Sequence, residues 1–226
     1  MPVDIGPWMA LLVNRLQDCF GSRLVFIGLQ GSYRRGEASP DSDIDAVVIL
    51  DELGVGDLIA YRELVRQMPH SELACGFVSG RTELESWLPA ELFQFYHDTR
   101  PLYGSLDFLL PRFGQEDFAL ALHIGACGLY HACCHSLLFS DADAALPALL
   151  KSSFFLLQAK IRLERGIYAG SREALRPYAQ GDDAAVLSLC LLPRVPPVQM
   201  QGAYELLLRW SGGLIRSMTD RGTSDD

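Results

Sequence analysis

Two pairs of residues near the start of the chain have the types and spacing of a site that handles phosphate. Gly31 and Ser32 follow a short apolar run, so their backbone amides stand where a strand ends and a helix begins. Amides without partners at a helix start, together with the helix dipole, favour an anion such as a phosphate. Asp43 and Asp45 lie two residues apart, which places both carboxylates on one face of a strand.

The aspartate pair predicts a divalent cation. Two carboxylates held close together repel each other unless a cation neutralises them, and hard oxygen ligands suit Mg²⁺. A phosphate-binding turn beside a Mg²⁺-binding pair is the apparatus that handles a nucleoside triphosphate. Arg34 and Arg35 share a helical turn with Ser32, so they either lean toward the phosphates or form a solvated helix face.

The elements that must position these residues alternate between strand and helix signals. Short runs rich in β-formers predict strands, and apolar residues at helical spacing predict helices. The predicted elements are a helix that ends near residue 21, strands at 24–29, 44–50 and 73–78, and a helix at 58–68. This alternation is typical of an α/β or α+β sheet domain, which we assign to residues 1–110.

Residues 111–226 have a different character. Long apolar-periodic segments at 114–139, 145–165 and 198–218 are separated by Gly-rich or Pro-rich stretches and predict an all-α helical bundle domain. Residues 220–226 resemble a frayed tail. The stretch 118–139 has no Asp, Glu, Lys or Arg and is long enough to span a bilayer, but its three histidines favour a buried helix of a soluble protein.

The composition bounds the classes of function. The chain has 226 residues, 49% of them hydrophobic, which excludes a disordered or fibrous protein. Its formal net charge of −9 disfavours nucleic acid as a partner. The first six residues carry no basic segment and the six cysteines follow no framework spacing, so we expect a cytoplasmic protein with reduced thiols and no membrane partner. The sequence leaves a homodimer open.

Residues 31–45 resemble the nucleotidyltransferase superfamily of DNA polymerase β, whose signature is Gly-Ser, a variable spacer and Asp-x-Asp. Gly36 and Ser42 complete the pattern here. The resemblance implies that Asp43 and Asp45 bind the metal ions and that the Gly-Ser turn holds the triphosphate. The residues assigned to the nucleotide in this half of the chain are Gly31, Ser32, Arg35 and Ser42.

Within the superfamily, the chain looks most like the bacterial aminoglycoside adenylyltransferases. These proteins carry a glutamate on the strand after Asp-x-Asp, then a tryptophan and an acidic-apolar helix, and Glu72, Trp87 and residues 91–95 look like that continuation. The resemblance implies that Glu72 is the base that deprotonates the attacking hydroxyl. Two alternatives stay open: Glu72 is a solvated strand-edge residue, or the base is Asp98 or Glu116.

The helical half resembles the C-terminal domain of the same adenylyltransferases. In that family a Ser-Lys-acid motif follows a long helix, and its lysine reaches the nucleotide phosphates. Arg172 stands in the place of that lysine, so the positive charge is kept with a different geometry. Ser171 also has the position of a helix cap, which explains the same residues without a nucleotide.

The resemblance predicts an α/β (α+β) nucleotidyltransferase domain with a small mixed sheet, followed by the helical bundle that binds the acceptor. The expected reaction transfers AMP from ATP to a hydroxyl of a small, aminoglycoside-like acceptor, with Mg²⁺-assisted release of pyrophosphate. One alternative is a catalytically weak or inactive nucleotide-binding regulatory module of the antitoxin-like kind. A second is modification of a protein or of a tRNA end, which the acidic charge disfavours.

A histidine and cysteine stripe in the helical half belongs to none of these motifs. His123, Cys127, His131 and His135 recur at i, i+4 spacing. Packed core groups, the lining of the acceptor pocket and a zinc site with Cys127 as third ligand are the three interpretations.

Overall fold

The structure, a computed structural model, describes residues 1–222 and divides into two compact units, Met1–Phe113 (unit 1) and the residues from Gly114 onward (unit 2). The helices and strands of unit 1 are α1 (Ile5–Phe20), β1 (Leu24–Leu29), α2 (Gly31–Arg35), β2 (Ile44–Leu50), α3 (Val55–Arg66), β3 (Ala74–Gly80), α4 (Arg81–Glu85), α5 (Pro89–His97) and β4 (Arg100–Tyr103).

The four strands form one mixed sheet in the order β3-β2-β1-β4. Strand β1 is antiparallel to both β2 and β4, whereas β2 and β3 run parallel. Leu29 pairs with Ala46 across β1 and β2, and Asp45 pairs with Cys75 across β2 and β3. The predicted small mixed sheet with surrounding helices is therefore confirmed.

Strand β2 is buried on both faces. Val48 belongs to an apolar cluster with Trp8 and Leu12 of α1, while Val47 belongs to a second cluster with Leu92 of α5. Successive side chains of a strand point to opposite faces, so a continuous apolar run is the pattern that such a strand requires. Asp45, the second residue of β2, is the one residue of the strand that reaches solvent.

Both ends of α3 and of β3 differ from the predicted ones: α3 spans Val55–Arg66 instead of 58–68, and β3 spans Ala74–Gly80 instead of 73–78. Helix α3 begins at Val55 instead of residue 58, because the Asp57 carboxylate accepts a hydrogen bond of 2.9 Å from the Gly54 amide and closes an earlier first turn. Strand β3 begins at Ala74, and the preceding Ser71–Leu73 is a 3₁₀ turn. Glu72 therefore precedes β3, whereas the resemblance implied a glutamate on that strand.

Every regular element in the described part of unit 2 is a helix, as predicted. Its helices are α6 (Gln115–Phe139), α7 (Ala142–Arg165), α8 (Arg172–Leu175), α9 (Asp182–Cys190) and α10 (Met200–Gly222). Helix α7 starts at Ala142, three residues before the predicted start, because Asp141 caps it by accepting hydrogen bonds from the Asp143 and Ala144 amides. Part of the predicted frayed tail, residues 220–222, belongs to α10, and residues 223–226 lie outside the described residues.

Helices α6 and α7 are both long and apolar enough to cross a membrane by length and composition. The most apolar part of α7 is 56% buried, whereas that of α6 is only 28% buried. Phe118, Leu122 and Leu129 of α6 face the protein interior, while Ile124 and Leu138 are exposed. The prediction of a buried helix at 118–139 therefore holds for one side of α6 only.

Candidate active site

The turn that follows β1 lies directly against the start of β2. The Gln30 amide donates a 2.8 Å hydrogen bond to the Asp45 carbonyl, which extends the β1–β2 ladder by one residue. Gly31 has φ +68°, and a Cβ atom there would lie 1.8 Å from Asp45 Oδ2. Only glycine accommodates both the backbone conformation and this approach. The structure thus brings Gly31 and Asp45 into direct contact.

Ser32 is the second residue of α2 and is half-buried. Its carbonyl accepts a 2.9 Å hydrogen bond from the Glu37 amide, and its hydroxyl makes no hydrogen bond to any other residue within 1–222. The first amides of a helix have no partner four residues earlier. This turn can therefore offer backbone and side-chain donors to a phosphate.

Asp43 and Asp45 stand on either side of the first residue of β2, and both have some exposure to solvent. Within residues 1–222 no three His, Cys, Asp or Glu side chains gather as a metal site. Mg²⁺ is usually held by one or two carboxylates together with substrate phosphates, and does not need a complete protein cage. Two hard carboxylates beside a turn that can donate hydrogen bonds to a phosphate fit a divalent cation that arrives with a nucleotide.

Ser42 serves the loop that leads to Asp43. Its hydroxyl accepts a 2.8 Å hydrogen bond from the Ser39 amide and lies 3.2 Å from the Ser39 hydroxyl. These contacts close the turn immediately before the aspartate pair. Ser42 is thus adjacent to the site, with its hydroxyl engaged inside the loop.

Glu72 and Asp43 lie at the same edge of the sheet, because β2 and β3 are parallel and each residue precedes its strand. The Glu72 side chain is 71% exposed and its nearest ionic partner is His70, with 3.7 Å between Nδ1 and Oε1. The structure does not bring it into an ion pair with the arginines of α2. The residue level with Asp45 on β3 is Cys75, an exposed thiol.

Arg35 is held inside unit 1 by two acids. Its Nη1 atom donates a 2.9 Å hydrogen bond to Asp98 Oδ2, its Nε atom lies 3.3 Å from Glu37 Oε2, and its side chain is only 6% exposed. Burial raises the pKa of Asp98, the charges of Arg35 and Arg34 oppose this, and the charge of Asp45 adds to the rise. Asp98 was expected only as an alternative base, whereas the structure shows it as the partner of Arg35.

Arg172 lies in unit 2, at the first residue of α8. Its guanidinium lies 4.9 Å from the centre of the Phe154 ring, and the Ser171 hydroxyl accepts a hydrogen bond from the Ala174 amide as a helix cap. Burial raises the pKa of Cys190 to about 12, although the Arg172 charge acts in the opposite direction. The capping interpretation of Ser171 is therefore correct, and Arg172 is packed on an aromatic ring.

The histidine and cysteine stripe lies on α6. His123 is half-buried, whereas Cys127, His131 and His135 are exposed, and the rings of the last two are 6.1 Å apart. No three metal-binding side chains gather on this stripe or elsewhere in the described chain, so the zinc interpretation finds no support. The packed-core interpretation also fails for the three exposed members.

Comparison with known proteins identifies the same segment. Residues 11–72 match the family model described as a nucleotidyltransferase domain. The fold matches the crystal structure of spectinomycin adenyltransferase AAD(9) from Enterococcus faecialis with ATP and spectinomycin, with a TM-score of 0.58 and 13% identity over 93% of this chain and 98% of that chain. No curated protein matches the sequence. Residues 11–72 therefore form a nucleotidyltransferase domain, and the chain is a transferase enzyme on a fold that it shares with an aminoglycoside adenylyltransferase.

Proposed function

We propose that the enzyme transfers AMP from ATP to a hydroxyl of a small acceptor and releases pyrophosphate. The contact between Gly31 and the Asp45 carboxylate carries this proposal, because it sets the phosphate-binding turn beside the metal-binding acid. Transfer of a nucleotidyl group needs phosphate binding and metal binding within the length of one triphosphate. A cytoplasmic location, where ATP is available and the six described cysteines stay reduced, is part of the proposal.

The proposed division of roles follows from the chemistry of each side chain. Asp43 and Asp45 hold a divalent cation, which we take to be Mg²⁺; the chemistry supplied there is neutralisation of the negative charge on the triphosphate. The Gly31 amide and the Ser32 hydroxyl orient the phosphates by donating hydrogen bonds. Orientation of the reacting groups contributes to rate because it removes the entropy cost of bringing them together.

The acceptor that we propose is a cationic small molecule of the aminoglycoside class. The formal net charge of −9 attracts cations and repels a polyanion such as tRNA. The solved relative with the same fold holds ATP and spectinomycin, which supports a nucleotide together with a small acceptor.

Pyrophosphate release tests the proposed reaction. The full chain is incubated with α-labelled ATP, Mg²⁺ and separate pools of aminoglycosides and lincosamides, and labelled acceptor and pyrophosphate are measured. Pyrophosphate formed in step with a labelled acceptor is the expected result. ATP binding without pyrophosphate in any pool would contradict the proposal and would support the regulatory nucleotide-binding module. One observation favours that module: the residue of β3 opposite Asp45 is Cys75, a thiol, where a third carboxylate would be needed.

Ser32→Ala is expected to weaken ATP affinity about tenfold, because one hydrogen bond to a charged phosphate is worth about 1–2 kcal/mol. The fold should persist, since the hydroxyl has no partner within residues 1–222 whose bond would be lost. Calorimetric titration with ATP and Mg²⁺ measures the change. Ser152→Ala on α7, which removes a hydroxyl bonded only to its own helix, is the control. Equal ATP affinity in wild type and Ser32→Ala would remove Ser32 from the site.

Glu72→Gln tests the proposed base. The amide keeps the size of the side chain but accepts no proton at neutral pH, so the chemical step should slow by about 10²–10⁴ while ATP affinity stays near that of wild type. Single-turnover kinetics with a binding isotherm separate the two quantities. Glu63→Gln, which changes another exposed glutamate of unit 1, is the matched control. A chemical step within a few fold of wild type would exclude Glu72 as the base.

A further inference from the structure

Side chains of residues 30–35 form hydrogen bonds with residues at the C-terminal end of α5. Gln30 Nε2 donates a 2.6 Å hydrogen bond to Thr99 Oγ1, and Arg34 Nη2 donates a 2.9 Å hydrogen bond to the His97 carbonyl. Arg35 adds its bond to Asp98. The last carbonyls of a helix have no partner within it and carry the negative end of its dipole, so they suit donors and cations. Three successive residues at this helix end, 97 to 99, therefore accept hydrogen bonds from side chains of residues 30–35.

Asp98 lies at the centre of these contacts. Its side chain is 10% exposed, and its two oxygens have different environments. Oδ2 accepts the close bond from Arg35, whereas Oδ1 accepts no hydrogen bond from residues 1–222 and lies 3.8 Å from Arg34 Nη1. A buried carboxylate is costly unless cations compensate it, so Asp98 requires the two guanidinium groups to stay where they are. The charge of one acid thus fixes two consecutive residues of α2.

The short length of α2 transmits this constraint to the nucleotide-binding turn. Arg34 and Arg35 end a helix of five residues that begins with Gly31 and Ser32. A displacement of the arginines therefore shifts the turn as well. Gly31 touches the carboxylate of Asp45, so a shift of the turn also changes the surroundings of the proposed metal ligand.

We propose that Asp98 is a positioning residue for the nucleotide-binding turn: it holds Arg34 and Arg35 at the end of α5 and thereby keeps Gly31 and Ser32 in place beside Asp45. This inference rests on the proposed function for its consequence, which is ATP affinity. Arg35 then acts through Asp98 and Glu37 and not by contact with the phosphates. Thr99 assists by accepting a hydrogen bond from the side chain of Gln30, the residue before the turn.

The test compares Asp98→Asn with Asp57→Asn. Asp57 forms a similar bond with an arginine of the same unit, 2.8 Å from Arg23 Nη1, but it contacts none of residues 30–35. Hydrogen exchange of the peptide 29–37 and calorimetric ATP affinity with Mg²⁺ are measured for both variants. Asp98→Asn should accelerate exchange in that peptide and weaken ATP affinity about tenfold, and Asp98→Glu should restore affinity to within about threefold. Asp57→Asn should leave both quantities unchanged within about twofold.

Each outcome has a separate meaning. Unchanged exchange and affinity in Asp98→Asn, or equal losses in Asp57→Asn, would overturn the positioning role. Faster exchange in Asp98→Asn, in a protein whose wild type binds no ATP, would support the positioning role and overturn the proposed function. If Asp98→Asn does not fold, Arg35→Lys replaces it, since lysine keeps the charge but loses the planar fork that reaches Asp98 and Glu37 together. Wild-type exchange and affinity in Arg35→Lys would then overturn the inference.

Discussion

Asp45→Asn is expected to lower kcat/KM for ATP turnover by about 10³ or more, since loss of charge stabilisation at a metal-assisted site costs several kcal/mol. The amide keeps the shape of the carboxylate that touches Gly31 but supplies no negative charge to a divalent cation. The fold should persist, because one of two neighbouring like charges is removed. Pyrophosphate release under saturating acceptor measures the loss, and circular dichroism confirms the fold.

Asp41→Asn is the matched control for this prediction. Asp41 is an exposed aspartate four residues earlier, in the loop that leads to β2. Its substitution makes the same change of net charge, so a general electrostatic effect on a triphosphate would appear in both variants. Turnover of Asp41→Asn should stay within about twofold of wild type. The metal assignment is wrong if Asp45→Asn keeps more than a tenth of wild-type turnover.

The sequence predicted the parts of unit 1 whose residues are buried on both faces. Strands β1 and β2 have continuous apolar runs, and their predicted limits agree with the structure. Strand β4 was not predicted, because it contains Pro101 and its first three residues are exposed, which gives it no apolar pattern. Its pairing with β1 makes it a strand. Strand β3 begins one residue after the predicted start and ends two residues after the predicted end, since Cys75 and Gly76 are exposed and weaken the pattern.

The residues of the candidate site also differ in how well the sequence alone predicts them. Gly31, Ser32, Asp43 and Asp45 lie within fifteen residues, so their types and spacing alone indicate a phosphate and metal site. The bond between Arg35 and Asp98 joins residues 63 positions apart and depends on where α5 ends. A local sequence pattern carries no signal for such a contact, because each residue alone is an ordinary charged residue of a helix surface.

Gly31→Ala is expected to reduce turnover by at least about 10² and to weaken ATP affinity. The added Cβ would lie 1.8 Å from Asp45 Oδ2, so the carboxylate or the turn must move, and a misplacement of about 1 Å at a reacting site costs about 10²-fold in rate. A left-handed backbone adds about 1–2 kcal/mol of strain for any residue with a Cβ. Pyrophosphate release and thermal unfolding are measured together, to separate lost activity from lost fold.

Gly36→Ala separates the effect of the steric clash with Asp45 from the effect of backbone strain. Gly36 ends the same helix with φ +72°, and a Cβ there would meet no atom within 4 Å. Its substitution should therefore lower the free energy of unfolding by about 1–2 kcal/mol while turnover stays within a few fold of wild type. Equal losses of turnover in the two variants would show that backbone strain, and not the contact with Asp45, causes the loss of activity in Gly31→Ala. Because both glycines have nearly the same φ, any additional loss in Gly31→Ala reports the approach of the proposed nucleotide-binding turn to the carboxylate of the proposed metal ligand Asp45.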